Sequence, residues 1–320
     1  MKIYTTELIN KINDKYNKGE EVSRYDRVYF QNNEGVRKAG IMFSFTSNEL
    51  KEYIKCKISV DHFANQCIRQ LDGGATAPIS LFDFQKDILN FTANNRFTIN
   101  FASRQVGITT VHAIYLLWEA LFNEKIIVNI ANRAMTSREL LRKIKDIYKL
   151  LPFYLQVGVT SWNENQIVFE NGSRIVGCSR AQPAIGYHID ILYLQEFSQM
   201  PMAENIYRAL APTITALRDS KIMIQTGANG YNFSYELIQK SELPEGHPDK
   251  NNFKTMRTYW YQVPGRDENW RREQITFIGG EAEFNQEFGL QFNRYENIKP
   301  KEIKRIISDM DPYGEEDWDN

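Results

Sequence analysis

Three short stretches carry residue types whose order and spacing suit chemistry on a phosphate. The first is FTINFA, SRQVGITT and VHAIYLLWEALF in succession over residues 97–122. It reads as an apolar strand, a turn with Gly107, and a helix. Amides of such a turn and of the helix N-terminus converge on one point and hold an anion there. The usual motif adds a lysine for the β- and γ-phosphates and a hydroxyl for magnesium. Here Gly107 and Thr109 hold their places and Ile108 stands where the lysine belongs. Without the lysine, the stretch taken alone reads better as an ordinary strand-to-helix connection. The second stretch, DILYLQE over residues 190–196, is an apolar run that ends in Gln195 and Glu196. A buried strand of this kind delivers an acid to a magnesium shell and then a glutamate that activates water. Gln195 replaces the first acid and Glu196 keeps the second place. The third, KIMIQTGANG over residues 221–230, ends a strand at Thr226, with Asn229 and Gly230 in the turn beyond. A polar residue there can sense a terminal phosphate, and a plain glycine-rich turn explains the stretch equally well.

Such groups need a rigid support, and the sequence outlines one. Strands are expected at 97–102, 126–131, 190–194 and 221–226, and helices at 82–91, 111–122, 136–151, 203–217 and 232–240. This alternation implies right-handed strand–helix–strand units and a mainly parallel sheet with helices on both faces. Asn171-Gly172, between the apolar runs 166–170 and 174–178, marks a two-residue hairpin. Residues 1–45 read as polar and irregular, Asn48 as the cap of a helix carrying Leu50, Tyr53 and Ile54, residues 243–270 as a long loop, and 281–292 as a last helix. The expected division is a helical lid segment at 1–79, a core at 80–242, its continuation at 243–296 and a flexible acidic tail at 297–320, where Asp309, Asp311, Glu315, Glu316, Asp317 and Asp319 crowd around Trp318.

Composition sets outer bounds. The 320 residues suffice for one large α/β domain with a smaller subdomain. Hydrophobic residues at 42% and charged residues at 25% are ordinary for a soluble protein, and no apolar run or signal layout points to a membrane. The chain therefore reads as soluble and cytoplasmic. A net charge of −1 gives no global nucleic-acid signature. The basic run Arg138, Arg142, Lys143, Lys145 and Lys149 reads as a solvated helix face rather than a DNA track. Cys56, His62 and Cys67 lie close together without a zinc spacing, so buried thiols on an amphipathic helix are the expectation. His112 and His188 flank the chemical stretches with no partner visible in sequence, and Tyr115 and Trp118 read as core.

The order of these segments resembles the ATPase domain of the T4-like tailed-bacteriophage terminase large subunit. ELKEYIKCKISVDHFANQC is similar to the stretch before that family's adenine motif, and FDFQKDIL is similar to the motif itself. SRQVGITT resembles the family's Ser-Arg-Gln-Leu-Gly-Lys-Thr-Thr loop, TGANG its Thr-Pro-Asn-Gly coupling motif, and EFNQEFGLQF its Phe-x-Gln-Glu segment. LLPFYLQ and SWNENQIVFENGSRI resemble the segment before the second acidic motif. The match covers residues 47–292 in order.

The resemblance implies a P-loop NTPase of the additional-strand (ASCE) type, its mainly parallel sheet flanked by helices and completed by a small lid subdomain from the N- and C-terminal segments. It implies that Gln85 contacts adenine and that Ser103, Arg104, Gln105, Val106, Gly107, Ile108, Thr109 and Thr110 cradle the phosphates of ATP. Thr109, with Gln195 in the degraded position, would face Mg2+; Glu196 and Arg104 would be catalytic; Thr226, Asn229 and Gly230 would couple hydrolysis to movement. The implied partners are double-stranded DNA, the portal protein and procapsid, and the small terminase subunit. The implied assembly is a homo-oligomeric ring on the portal in the host cytoplasm. Ile108, Gln195, Ile185 in place of the family's arginine before the acidic strand, and Ala228 in place of proline depart from the pattern. The first three each remove a charge from around the triphosphate, so a catalytically silent binding or regulatory subunit is the alternative. Too few residues follow Phe292 for the family's nuclease domain, and no cleavage activity is expected.

Overall fold

The computed structural model describes residues 2–20, 22, 27–70, 75–180 and 188–292. The acidic tail, Gly73 and Gly74, and Ile185 with Gly186 lie outside these residues. In chain order the elements are β1 (Ile3–Tyr4), α1 (Thr6–Asn17), β2 (Met42–Phe43), α2 (Ser47–Ile58), α3 (Val60–Ala64), β3 (Ile68–Gln70), β4 (Thr76–Pro78) and α4 (Asp83–Asn94). Then come β5 (Phe97–Ala102), α5 (Ile108–Phe122), β6 (Ile126–Ala131), α6 (Ala134–Leu150), β7 (Val159–Asn163), β8 (Gln166–Phe169) and β9 (Arg174–Cys178). The chain continues through β10 (Ile191–Gln195), α7 (Ala203–Thr215), β11 (Lys221–Thr226), α8 (Phe233–Ser241), β12 (Lys254–Thr258), α9 (Glu268–Ile278) and α10 (Glu281–Glu287).

Eight strands form the main sheet in the order β12-β5-β11-β10-β6-β9-β8-β7. The pairings from β12 to β9 are parallel, and β8 and β7 add an antiparallel edge. β11 is inserted between β5 and β10, so one strand separates the phosphate-loop strand from the acidic strand. That insertion is the additional strand expected above. The hairpin forms around Asn171-Gly172, but β8 ends at Phe169 and β9 begins at Arg174, so its loop is longer than the two residues expected. Gly172 has a φ of +93°, a conformation open to glycine at little cost.

The central strands are buried throughout, so their side chains divide by strict alternation between the two faces. Ile127, Ile175, Ile191, Tyr193 and Met223 pack on one face under α4, α5 and α6. Ile99, Phe101, Val128, Ile130, Leu192, Leu194, Ile222 and Ile224 pack on the other with residues of α7 and α8. α5 is apolar almost all round and buried to match, the pattern of a central helix.

Several expectations are corrected. Residues 1–45 are not irregular: α1 starts at an N-cap, Thr5, and packs Ile9 and Ile12 with Tyr4, Val28 and Tyr29. Thr46, not Asn48, caps α2, because it forms a reciprocal capping box with Glu49. The supposed loop at 243–270 contains β12 and the start of α9. β12 reads Lys-Thr-Met-Arg-Thr because it is an edge strand, where polar residues are tolerated and favoured. α9 buries no residue, so it carries no apolar stripe to detect. The last helix ends at Glu287 rather than running on to 292. Tyr115 is core as expected, and the partly buried Trp118 packs against that core, its indole N–H donating to the Cys56 carbonyl at 2.8 Å.

Candidate active site

The loop between β5 and α5 turns sharply because two of its residues take left-handed backbone angles, Gln105 (φ +58°) and Gly107 (φ +80°). The left-handed angle at 107 favours glycine. A Cβ there would also lie 2.4 Å from Gln85 Nε2. Gly107 caps the 15-residue α5, whose first amides have no intrahelical acceptor and whose dipole turns its positive end to this point.

Around that helix end lies a cavity of about 680 Å³. Ser103 to Thr110 line it, together with Glu196, Thr226, Gly227, Ala228, Gln286 and Glu287. The structure therefore brings the whole expected phosphate loop, Glu196 and Thr226 to one place. Gln85, Gln195, Asn229 and Gly230 do not line it. Gln195 is 3% exposed, and its Oε1 has no hydrogen-bond partner among the described residues. Ile108 lines the cavity yet belongs to the hydrophobic core at 6% exposure, so nothing at this position offers charge.

The loop is fastened from three sides. Gln85 Nε2 donates to the Val106 carbonyl at 2.9 Å, while Gln85 Oε1 accepts from the Phe82 amide at 3.1 Å. Arg266 donates to the carbonyls of Arg104 and Gln105 at 3.3 and 2.9 Å. From α10, the Glu287 carbonyl accepts from the Arg104 amide at 3.1 Å, and the Phe288 carbonyl accepts from the Ser103 hydroxyl. The Arg104 guanidinium is ion-paired with the Glu287 carboxylate. Two further cations unmarked as site residues in the sequence, Arg133 and Lys143, line the same cavity. Lys143 was read as part of a solvated face. Of its neighbours in that run, Arg138 pairs with Glu164 and Arg142 with Glu139 and Asp146 on the exposed side, while the half-buried Lys145 lies over Trp162.

Glu196 follows β10 directly and takes a φ of +55°, an uncommon angle for a side chain of this size and one concentrated at functional positions. Burial pushes its carboxyl above the ordinary carboxylate range; Arg104 pulls it back down and Glu287 pushes it up. Gln225 on β11 donates to Glu196 Oε1 at 3.3 Å. The turn after Glu196 is tied to the turn after β11: the Ser198 amide donates to Thr226 Oγ1 at 3.1 Å, and Asn229 and Asn232 donate to the Ser198 carbonyl at 2.8 and 2.9 Å. His188 sits apart from the site, exposed and 4.0 Å from Asp190. His112 is fully buried beside Tyr193.

The sequence grouping Cys56–His62–Cys67 does not assemble. The donor atoms that come within 4.8 Å of one another belong to Glu52, Cys56 and His62. His62 and Glu52 contact each other, Gln66 donates to Glu52 at 2.9 Å, and burial pushes the Cys56 thiol up to about 12. Cys67 is a buried thiol that donates to the Phe63 carbonyl at 3.6 Å.

The family model described as "Terminase large subunit, T4likevirus-type, N-terminal" matches residues 99–307. The chain belongs to this family. Its fold is that of large terminase ATPase domains. The ATPase domain of the large terminase of Thermus phage P74-26 aligns at a TM-score of 0.55 with 20% identity, covering 67% of this chain and 94% of that one. The large terminase of another thermophilic bacteriophage aligns at 0.52 with 15% identity, covering 67% of this chain and 54% of that one. This terminase chain thus spans about half the length of that second protein. No helix among the described residues is long and apolar enough to cross a membrane.

Proposed function

We propose that the chain binds ATP in the cavity at the N-terminus of α5 and hydrolyses it, and that a ring of such subunits on the portal of a procapsid uses the reaction to move double-stranded DNA. The observation that carries this reading is Glu196, held at the end of β10 in a cavity it shares with the complete loop 103–110. In this reading Glu196 takes a proton from the attacking water as the bond between the γ-phosphorus and ADP breaks. Loop amides and the α5 dipole hold the phosphates. The charge that the missing lysine would supply comes from Lys143 and Arg133, with Arg104 released from Glu287. Gln85 meets the adenine with the second N–H or the second lone pair of its amide, since the two hydrogen bonds it makes here use one of each. Thr226 and Asn229, bonded to the turn that follows Glu196, pass the change onward. Binding to the small terminase subunit belongs to the same proposal.

The residues present fit a magnesium ion that arrives with the nucleotide rather than one resident in the protein. Thr109 offers a neutral hydroxyl in the cavity, while Gln195, also neutral and with a buried acceptor that has no partner among the described residues, lies outside the lining. Such an ion would neutralise charge on the phosphates.

Ile108 and Gln195, two uncharged residues where charge belongs, favour a second reading, a silent subunit that serves phage assembly by binding alone. Steady-state ATP turnover with magnesium, with and without double-stranded DNA, separates the two. In the hydrolytic reading Glu196→Ala lowers turnover by about 10²-fold or more. The rate of the unchanged chain falls on the acid side, at a pH above the ordinary carboxylate range, because the base must be ionised and burial has raised its pKa. Turnover equal in the two proteins, in the presence of portal and DNA, rejects hydrolysis.

A further inference from the structure

Beneath Glu196 runs a line of buried polar side chains that the phosphate chemistry does not require. Asn100 on β5, His112 on α5, Tyr193 on β10 and Gln225 on β11 are each at most 6% exposed. Strand alternation and the pairing register place Asn100, Gln225 and Tyr193 on the face of the sheet that α5 covers. Asn100 Nδ2 lies 3.1 Å from His112 Nε2, and His112 Nδ1 lies 3.0 Å from the Tyr193 hydroxyl. The hydroxyl donates to Gln225 Oε1, and Gln225 Nε2 donates to Glu196 at 3.3 Å.

The donors and acceptors in this line admit a single direction. An ionised Glu196 only accepts, so Gln225 must turn its NH2 toward it and its oxygen toward Tyr193. Tyr193 must then donate to Gln225 and accept from His112 Nδ1–H. A neutral imidazole carries one hydrogen, so Nε2 accepts, and it is the NH2 of Asn100 that faces it. The same NH2 donates to Thr92 Oγ1 at 3.4 Å, and Asn100 Oδ1 has no partner among the described residues.

We propose that Gln225 is a positioning residue for Glu196, and that Asn100, His112 and Tyr193 lock its amide so that the carboxylate always receives an N–H. The consequence for turnover rests on the hydrolytic reading above; the line of donors does not. Burial lowers the His112 pKa to about 3, so the imidazole stays neutral and keeps one tautomer throughout the working pH range.

The chain has four histidines, which makes imidazole nitrogen NMR of the 15N-histidine protein tractable. The expected spectrum contains one imidazole, assigned by its loss in His112→Gln, in the Nδ1–H form and untitrated from pH 8 down to about 5. Its Nδ1 resonance moves in Tyr193→Phe, in Gln225→Leu and, across two residues, in Glu196→Gln. An Nε2–H tautomer, ordinary titration near 6.5, or no response to Glu196→Gln overturns the proposal whether or not ATP is hydrolysed. Where turnover is present, Tyr193→Phe lowers kcat by about tenfold or more at constant KM. It also moves the acid limb of the kcat profile upward, since Glu196 then faces Arg104 and Glu287 with its oriented donor lost. A change in thermal stability alone, with kcat and the acid limb unmoved, also overturns it.

Discussion

The position that a lysine would occupy is filled by an isoleucine that belongs to the core, so compensation has to come from side chains entering the cavity from elsewhere. Lys143 can do so because helical side chains lean toward the N-terminus, and α6 begins beside the loop with Arg133 as its cap residue. Lys143→Ala is expected to weaken ATP binding about tenfold or more, with folding unaffected; equilibrium titration with a fluorescent ATP analogue checks this. At this scale the sequence displayed the loop, Glu196 and Thr226, because motif order survives even where single members change. It concealed Lys143, since a lysine that faces a cavity and one that faces water leave the same helical periodicity. It concealed Gln225 and the partner of His112 as well: a histidine in an apolar helix shows its partner only when the sheet register is known.

Among the elements, legibility followed burial. β5, β6 and β11 lie where their apolar runs placed them, because a strand buried on both faces has few other ways to be written. β12 and α9 escaped notice because one lies at a sheet edge and the other buries nothing. Capping decided the start of α2, where Glu49 bonds back to the Thr46 amide at 2.7 Å and also receives the Thr6 hydroxyl of α1. Thr46→Ala should cost about 1 kcal/mol in chemical denaturation. Glu49→Ala should cost more, because it also frees α1 from α2; equal costs would show that the Thr6 contact contributes nothing.

For the molecule as a whole, His112 makes stability depend on pH. Its folded pKa of about 3 lies below the unfolded value of about 6.5, so between the two the unfolded chain binds the extra proton. Its contribution is complete above pH 6.5 and declines by about 1.4 kcal/mol per pH unit as the pH falls toward 3. Glu196, with its raised pKa, acts in the opposite sense over its own window: its contribution favours the folded state on the acid side and is lost as the pH rises through the folded value. Urea denaturation of the unchanged chain and of His112→Gln, at pH 7 and pH 5, should show an acid loss that is smaller in the variant. The fastening of the phosphate loop by α10 has a mechanical meaning as well. The Arg104 amide hangs from the Glu287 carbonyl and the Ser103 hydroxyl from the Phe288 carbonyl, so a load applied to the chain beyond α10 reaches the anion cradle through one main-chain and one side-chain hydrogen bond. Linkage makes that path reversible. Whatever grips the chain past residue 288 would feel an anion arrive at the loop, and its own grip would tighten or loosen the hold on that anion by the same factor.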